Sequence, residues 1–154
     1  MSPLLYLTRV HAADDSLESQ AQDMGFTVIR ESLLETESGV DSRWLLEHLQ
    51  ELKPGAALAW TSRRAADVLA SALPALRELL QRLPLYAVGE ESAVPLKRAG
   101  LRPHVPPDAL GAAELARFIA SRAAEDGVRR VVFLHGNRAL PDLPDGLRAR
   151  GIEV

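Results

Sequence analysis

The sequence predicts an α/β fold in which a parallel sheet carries helices on both faces. Short apolar segments of strand length alternate with helical patterns along most of the chain. Most of these short segments are continuous apolar runs, which is typical of strands that are buried on both faces. The alternation and the apolar runs together indicate parallel strands that are joined by helices.

The clearest strand–helix unit begins after the breaker pair Pro54 and Gly55. Residues 56–60 form an apolar run of strand length, and a helical pattern starts directly after Thr61 and Ser62. Ser62 is a suitable N-cap because its hydroxyl can accept hydrogen bonds from amides of the first turn. The spacing of the next apolar residues predicts one continuous helix with one buried face, at positions 65, 69, 72, 76 and 79.

The chain before this unit contains a strand–helix–strand segment and a further helix. Strands are predicted at 4–7 and 26–30. The helix between them is expected to open with a capping box from Asp15 to Glu18 and to end at Gly25. Residues 31–40 lack a clean period and are interpreted as a connector. The apolar face of the next helix comprises Trp44, Leu45, His48, Leu49 and Leu52, and both tryptophans are expected in the core.

Further strands and helices follow the central unit. A strand at 84–88 precedes a short helix that has Pro95 in its first turn and ends at Gly100. A brief strand at 101–105 and a helix at 112–124 come next. A strand at 130–134, a helix at 143–150 that ends at Gly151, and the start of a strand at 152–154 complete the pattern.

Length, composition and charge limit the classes of protein. The chain has 154 residues, of which 47% are hydrophobic and 25% charged, which suits a globular protein with a substantial core. A net charge of -3 argues against general nucleic-acid and membrane-surface binding, so neither partner is expected. The absence of cysteine excludes disulfides and thiol catalysis. Because the N-terminus also lacks a signal-peptide pattern, a cytoplasmic location is expected.

Small polar residues, glycines and arginines stand where the predicted strands end. In parallel sheets ligands bind beyond these carboxyl ends, and a helix start adds unpaired amides that favour anions. The simpler interpretation is that hydroxyls at helix starts are caps and that glycines permit turns. Both interpretations remain open for the candidate residues Thr8, Arg9, Thr61, Ser62, Arg63, Gly89, Ser92, Gly136, Asn137 and Arg138.

No metal-binding or nucleophilic motif accompanies these strand ends in the sequence. The four histidines lack the spacing of metal ligands, so no metal site is expected. Spacings typical of a phosphate loop, a dinucleotide fingerprint or a nucleophile elbow are absent. His135 is the histidine that lies at a predicted strand end, where it is a candidate carboxylate contact.

The strand ends, taken in order, resemble the uroporphyrinogen-III synthase family. Thr8 and Arg9 are similar to the end of the family's first strand, and residues 60–65 are similar to the opening of its second domain. Residues 87–92 resemble the turn that follows, although Ser92 stands where the family usually has Thr. The Gly-Leu exit at 100–101, the helix start at 113–116 and the glycine-containing anion loop at 133–138 also resemble the family.

The resemblance implies flavodoxin-like domains and a chain that is truncated relative to the family. Residues 1–34 would form a partial first domain, 35–41 a connector, and 42–154 a near-complete second domain. The C-terminal part of the first domain and the tyrosine implicated in catalysis have no counterpart, so the catalytic residue is unknown. Because the N-terminal unit is too small to bury its own apolar face, we expect it to associate with another chain, to stay mobile, or to be completed by sequence outside this chain.

The resemblance also implies a function in heme biosynthesis. The family is a lyase that cyclises hydroxymethylbilane, a linear tetrapyrrole polycarboxylate, to uroporphyrinogen III. The last pyrrole ring is inverted, water is lost, and no metal or organic cofactor takes part. Helix-start amides and the arginines would hold the carboxylates. The alternative is a non-catalytic synthase-like module that binds a tetrapyrrole or a protein partner. A receiver-type signalling domain is less favoured because residues 8–11 offer no acidic pocket.

Overall fold

The structure is a computed structural model that describes residues 2–8, 16–31, 42–108, 111–136 and 140–154. It divides into two compact units, Met1–Gly39 and Val40–Val154. Both units contain parallel strands and helices. The predicted α/β class is therefore confirmed.

The first unit contains β1 (Leu4–Leu7), α1 (Leu17–Asp23) and β2 (Thr27–Arg30). The two strands are parallel. The guanidinium of Arg30 binds Glu18 at 2.7 Å, which joins β2 to α1. The N-cap of α1 is Ser16, without a side-chain capping bond. The predicted capping box involves Asp15, which lies outside the described residues, and its other member Glu18 contacts Arg30.

The first unit leaves several large apolar side chains exposed. Leu7 and Ala21 are buried, whereas Leu4 and Tyr6 are each 58% exposed and Met24 is 75% exposed. This exposure of apolar side chains is expected for a strand–helix–strand segment that is too small to bury its own apolar face. Self-association through this unit stays a prediction.

The second unit contains most of the regular structure that is described. Its elements are α2 (Ser42–Gln50), β3 (Ala56–Trp60), α3 (Arg63–Ser71), α4 (Leu73–Arg82), β4 (Leu85–Ala87), α5 (Glu90–Arg98), α6 (Ala112–Arg122), β5 (Arg130–Leu134) and α7 (Asp142–Arg148). The bounds predicted for β3 and β5 are confirmed. The helix predicted at 143–150 begins one residue earlier and ends two residues earlier.

The sheet of the second unit has the order β4–β3–β5, with all pairs parallel. Single bridges extend it at both edges, from Tyr86 to His104 and from Arg130 to Glu153. The strands predicted at 101–105 and 152–154 are thus reduced to one bridge each. After β3, the next strands of the chain are added on the β4 side of the sheet, and β5 is then added on the opposite side of β3. The order in which strands are added therefore reverses between β3 and β5. This strand order is that of dinucleotide-binding sheets, so the likeness to flavodoxin lies in the layers and the parallel strands.

Helices cover both faces of this sheet, as predicted. On one face Leu58 and Trp60 of β3 pack in a cluster with residues of α2, α3, α4 and α5. On the other face Ala57 and Ala59 pack with α6 and α7. Every residue of β3 is buried, which explains why its sequence is a continuous apolar run.

Prolines account for two differences from the predicted helices. The continuous helix expected through residue 79 is two helices, because Pro74 lies at the start of α4. A proline there has no amide for the preceding turn, and its ring clashes with that turn. Pro95 lies inside α5, so its predicted place in the first turn is wrong. The helix tolerates it at the cost of one backbone hydrogen bond.

Trp44 is not a core residue, which corrects the sequence-based expectation. Its side chain is 47% exposed, whereas Leu45 and Leu49 of the same helix are buried. Trp44 stacks on His48 with 3.9 Å between ring centroids. Helical geometry explains the difference, because residues 45 and 49 share one face while residue 44 lies beside it. The other tryptophan, Trp60, is fully buried as predicted.

A polar cluster joins elements near the amino-terminal edge of the sheet. Asp126 follows α6 and accepts a hydrogen bond from the hydroxyl of Tyr86 on β4. Arg122 donates to both carboxylate oxygens of Asp126, at 3.0 and 3.1 Å. Burial acts to raise the pKa of Asp126, but the hydrogen bonds from Tyr86 and Arg122 outweigh it and lower that pKa below 3.8. Burial, together with the hydrogen bond and negative charge of Asp126, raises the pKa of Tyr86.

We expect Asp126→Asn to lower the free energy of unfolding by about 1–3 kcal/mol at neutral pH, because charged hydrogen bonds are lost. The pKa of Asp126 is lower in the folded state than in the unfolded state. The stabilisation is therefore complete above the unfolded pKa and is lost as the pH falls through the folded pKa. Urea unfolding at about pH 7 and about pH 3 tests this, since the difference from wild type shrinks in acid.

A suitable control is Asp145→Asn, which removes a carboxylate from the exposed pair with Arg148. Exposed pairs contribute little to stability, so this variant should unfold close to wild type. An Asp126→Asn effect of the same size at both pH values would contradict the proposed role of the charge.

Candidate functional site

The candidate site is the carboxyl edge of the sheet in the second unit. Trp60 at the end of β3 pairs with Ala87 on one side and with Leu134 on the other. The residues that follow these three strands are therefore neighbours. Three of the predicted strand ends come together here, represented by Thr61, Ser62, Gly89 and Gly136. The edge includes the point between β3 and β5 where the chain direction reverses, a usual place for a ligand in such sheets.

Four of the predicted site residues cannot be placed at this edge. Thr8 is exposed and follows β1 in the first unit. Arg9, Asn137 and Arg138 lie outside the described residues. Their proposed contacts with a ligand stay predictions.

Ser62 is the N-cap of α3. Its backbone is extended, and its hydroxyl accepts a hydrogen bond from the amide of Ala65 at 3.2 Å. The capping interpretation is thus confirmed for this residue. The hydroxyl of Ser62 is therefore already used within its own helix start.

Ser92 is also occupied within its own helix start. Its hydroxyl donates to the carbonyl of Gly89 at 2.8 Å and accepts from the Gly89 amide at 3.2 Å. The residue is only 5% exposed. The capping role therefore explains why a hydroxyl is needed at this position. The amides of Glu90 and Glu91 are the donors that helix geometry leaves to a ligand at α5.

A buried hydrogen bond holds α5 against the end of β3. The indole nitrogen of Trp60 donates to the carbonyl oxygen of Ser92 at 2.7 Å. The sequence predicted a core position for Trp60 but not this bond. The sequence did indicate that such a bond would form somewhere, because the indole N–H of a buried tryptophan needs an acceptor. Through this bond the starts of α3 and α5 are held side by side.

An ion pair crosses between the same two helix starts. The guanidinium of Arg63 lies 3.8 Å from the carboxylate of Glu91. The neighbouring Glu90 binds Lys97 further along α5 at 2.5 Å instead. Glu91 was not predicted as a site residue. The sequence feature that could have indicated it is an acidic side chain in the first turn of a helix that begins at the carboxyl edge of the sheet. The predicted residue Arg63 therefore already has a carboxylate partner.

His135 follows β5 and is exposed. Its Nδ1 atom lies 2.6 Å from the carbonyl oxygen of Gly136, and its ring contacts Phe133 with 4.9 Å between centroids. Since a carbonyl only accepts, Nδ1 is the donor in this bond. The Nε2 atom is then an acceptor when the ring is neutral.

The two glycines at the carboxyl edge differ from the glycine in α7 in the space around their Cα atoms. Gly89 has an extended backbone with φ of -164°, which any residue can adopt. A Cβ added at Gly89 or Gly136 would meet no described atom within 4 Å. A Cβ at Gly146 of α7 would lie 2.8 Å from the Cβ of Ala116 on α6. Gly146 is required for helix packing, whereas the two edge glycines leave space in which a ligand can approach the backbone.

We expect Gly136→Ala to leave the free energy of unfolding unchanged or to raise it by up to about 1 kcal/mol, because the unfolded chain loses freedom. The matched variant Gly146→Ala should lower it by about 1–3 kcal/mol through overpacking against Ala116. Urea unfolding of both variants measures the contrast. Equal destabilisation by the two substitutions would show that Gly136 has a structural requirement of its own.

Among the described residues, no cluster of three or more His, Cys, Asp or Glu residues has the arrangement of a metal site. A bilayer-spanning helix is likewise not found among them. A cavity lined in part by Leu80, Leu85 and Arg102 lies where β4 begins, at the opposite edge of the sheet from the candidate site.

The fold and this edge together define a doubly wound α/β protein with helix starts gathered at the carboxyl ends of its strands. The chain belongs to the uroporphyrinogen-III synthase family, because the family model described as uroporphyrinogen-III synthase HemD matches residues 15–154. The resemblance predicted from the strand ends is confirmed. Comparison with curated proteins finds no match.

Solved structures of uroporphyrinogen III synthase from Thermus thermophilus are similar to this chain. A mutant form aligns with a TM-score of 0.67 and 21% identity, and the wild type aligns with 0.58 and 21%. A further structure aligns with 0.50 and 20% identity. The first two alignments cover 99% of this chain and 59% of the other, and the third covers 99% and 60%. The likeness shows the fold, and the chain spans about three fifths of the length of these proteins.

Proposed function

We propose that the protein is a uroporphyrinogen-III synthase, a lyase that cyclises hydroxymethylbilane to uroporphyrinogen III in heme biosynthesis. The last pyrrole ring is inverted and water is released. Membership of the family over residues 15–154 is the observation that carries this proposal. The proposal also includes a cytoplasmic location and a division into a partial first domain at 1–34, a connector at 35–41 and a second domain at 42–154.

The proposed task of the protein is mainly geometric. A flexible linear tetrapyrrole has to be folded so that its ends meet in the orientation that inverts the last ring, and holding it there lowers the entropic part of the barrier. The reaction needs no metal or organic cofactor. The family resemblance implies both points.

The carboxyl edge suits a ligand that carries many carboxylates. Amides at the starts of α3 and α5 would bind carboxylates without a cluster of basic side chains, and Arg63 would add a charge-assisted bond. Binding through backbone amides is compatible with the net charge of -3. We assign Thr61, Ser62, Gly89, Ser92 and Gly136 to this edge through their backbone, and Thr8, Arg9, Asn137 and Arg138 as further substrate contacts.

The second candidate is a synthase-like module that binds a tetrapyrrole or a protein partner without turnover. One observation favours binding over acid–base chemistry at the described part of the edge. Four groups with displaced pKa values, Tyr86, Arg122, Asp126 and Arg130, belong to contacts near the amino-terminal edge of the sheet. Catalytic acids and bases usually have displaced pKa values, and these four groups lie away from the candidate site.

A coupled cyclisation assay separates the two candidates. Hydroxymethylbilane is generated in the reaction mixture, the products are oxidised, and isomers I and III are separated by chromatography. We expect the protein to produce isomer III above the level of the protein-free control. Isomer I alone, from protein that binds the tetrapyrrole saturably, would support the binding module. A version extended to the full length of the family that yields only isomer I would reject the synthase proposal.

A further inference from the structure

The ion pair between Arg63 and Glu91 joins the two helix starts to which the proposed function assigns substrate carboxylates. Arg63 is the first residue of α3, and Glu91 lies in the first turn of α5. The two side chains approach to 3.8 Å across the gap between the helix starts. The Arg63 side chain is 34% exposed, whereas that of Glu91 is 88% exposed. The cation is therefore supported by the protein, and the carboxylate is almost fully solvated.

The neighbouring residue Glu90 shows what is particular to Glu91. Both are in the first turn of α5 and both favour the positive end of the helix dipole. Glu90, however, binds Lys97 at 2.5 Å on its own helix. Only Glu91 of this pair of acids reaches toward α3. The two residues thus share their charge and their helix turn, whereas their partners differ.

A bound substrate carboxylate and Glu91 would compete for the same cation. Exposed ion pairs are weak and are screened by salt. A carboxylate that binds Arg63 in a bidentate manner and also accepts from helix-start amides makes stronger contacts. Such a ligand can displace Glu91, whereas a ligand with a single weakly held carboxylate gains little by doing so.

We propose that Glu91 is a specificity-determining residue that occupies Arg63 in the free protein and is displaced by one carboxylate of a polycarboxylate ligand. This inference rests on the proposed function, since it takes a tetrapyrrole polycarboxylate as the ligand. The carboxylate of Glu91 acts as a built-in competitor. It penalises ligands that lack further carboxylates to compensate, and specificity of this kind requires such a repulsive element.

The test compares Glu91→Gln with Glu90→Gln in the full chain. The probe is uroporphyrin I, a stable tetrapyrrole macrocycle with carboxylate side chains, and its binding is measured by fluorescence at low ionic strength. We expect Glu91→Gln to tighten binding about twofold to fivefold, the factor that corresponds to an exposed ion pair. Glu90→Gln removes the same charge from the same turn and should tighten binding less.

A double-mutant cycle with Arg63→Gln identifies the mechanism. Arg63→Gln alone should weaken binding, and Glu91→Gln should have little further effect in that background, because the competition requires the cation. An equal gain for Glu90→Gln and Glu91→Gln would overturn the inference in favour of general charge repulsion. A Glu91→Gln gain that persists without Arg63 would also overturn it. Circular dichroism checks folding, and the comparison of the two glutamates decides the matter if Arg63→Gln does not fold.

The same experiment separates this inference from the proposed function. If the wild-type protein does not bind uroporphyrin I and a version extended to the full length of the family yields only isomer I, both are rejected. Wild-type protein that binds the probe, with Glu91→Gln binding no more tightly than Glu90→Gln, would reject the role of Glu91 alone.

Discussion

The burial of β3 on both faces is the constraint on which the second unit depends. Alanines on one side of the strand allow α6 and α7 to pack closely, and Leu58 and Trp60 fill the other side. A tryptophan enclosed at this depth needs an acceptor for its indole N–H, and the carbonyl of Ser92 supplies it. The position of α5 is therefore set by a directional bond as well as by apolar packing.

This constraint determines the character of the carboxyl edge. Hydroxyls that looked like ligands in the sequence are used to complete helix starts, as Ser62 and Ser92 show. The described part of the edge also contains the starts of α3 and α5, with the ion pair of Arg63 and Glu91 between them. Such an edge is suited to position an acidic molecule. Tyr86 and Asp126, whose pKa values are displaced, lie elsewhere, in the contacts that hold β4 and the end of α6 together.

Much of the fold could be predicted because its signals are local. The apolar runs mark β3 and β5, and the glycines after helices do have positive φ, as at Gly25 and Gly151. The errors arose where position within a helix mattered, as for Trp44 and Pro95. The grouping of Thr61 and Gly89 also followed from parallel strands. The contacts of Trp60 with Ser92 and of Arg63 with Glu91 join residues far apart in sequence, and no local pattern specifies them.

Pro95 has a further consequence for the same helix start. Because proline lacks an amide hydrogen, the carbonyl of Glu91 has no donor one turn later in α5. The first turn of that helix is thus attached to the rest by one backbone bond fewer than usual. Its cohesion depends instead on the Trp60 indole and on the Gly89–Ser92 bonds. The first turn of α5 is therefore held by its contacts with β3 and Gly89 as well as by its own helix.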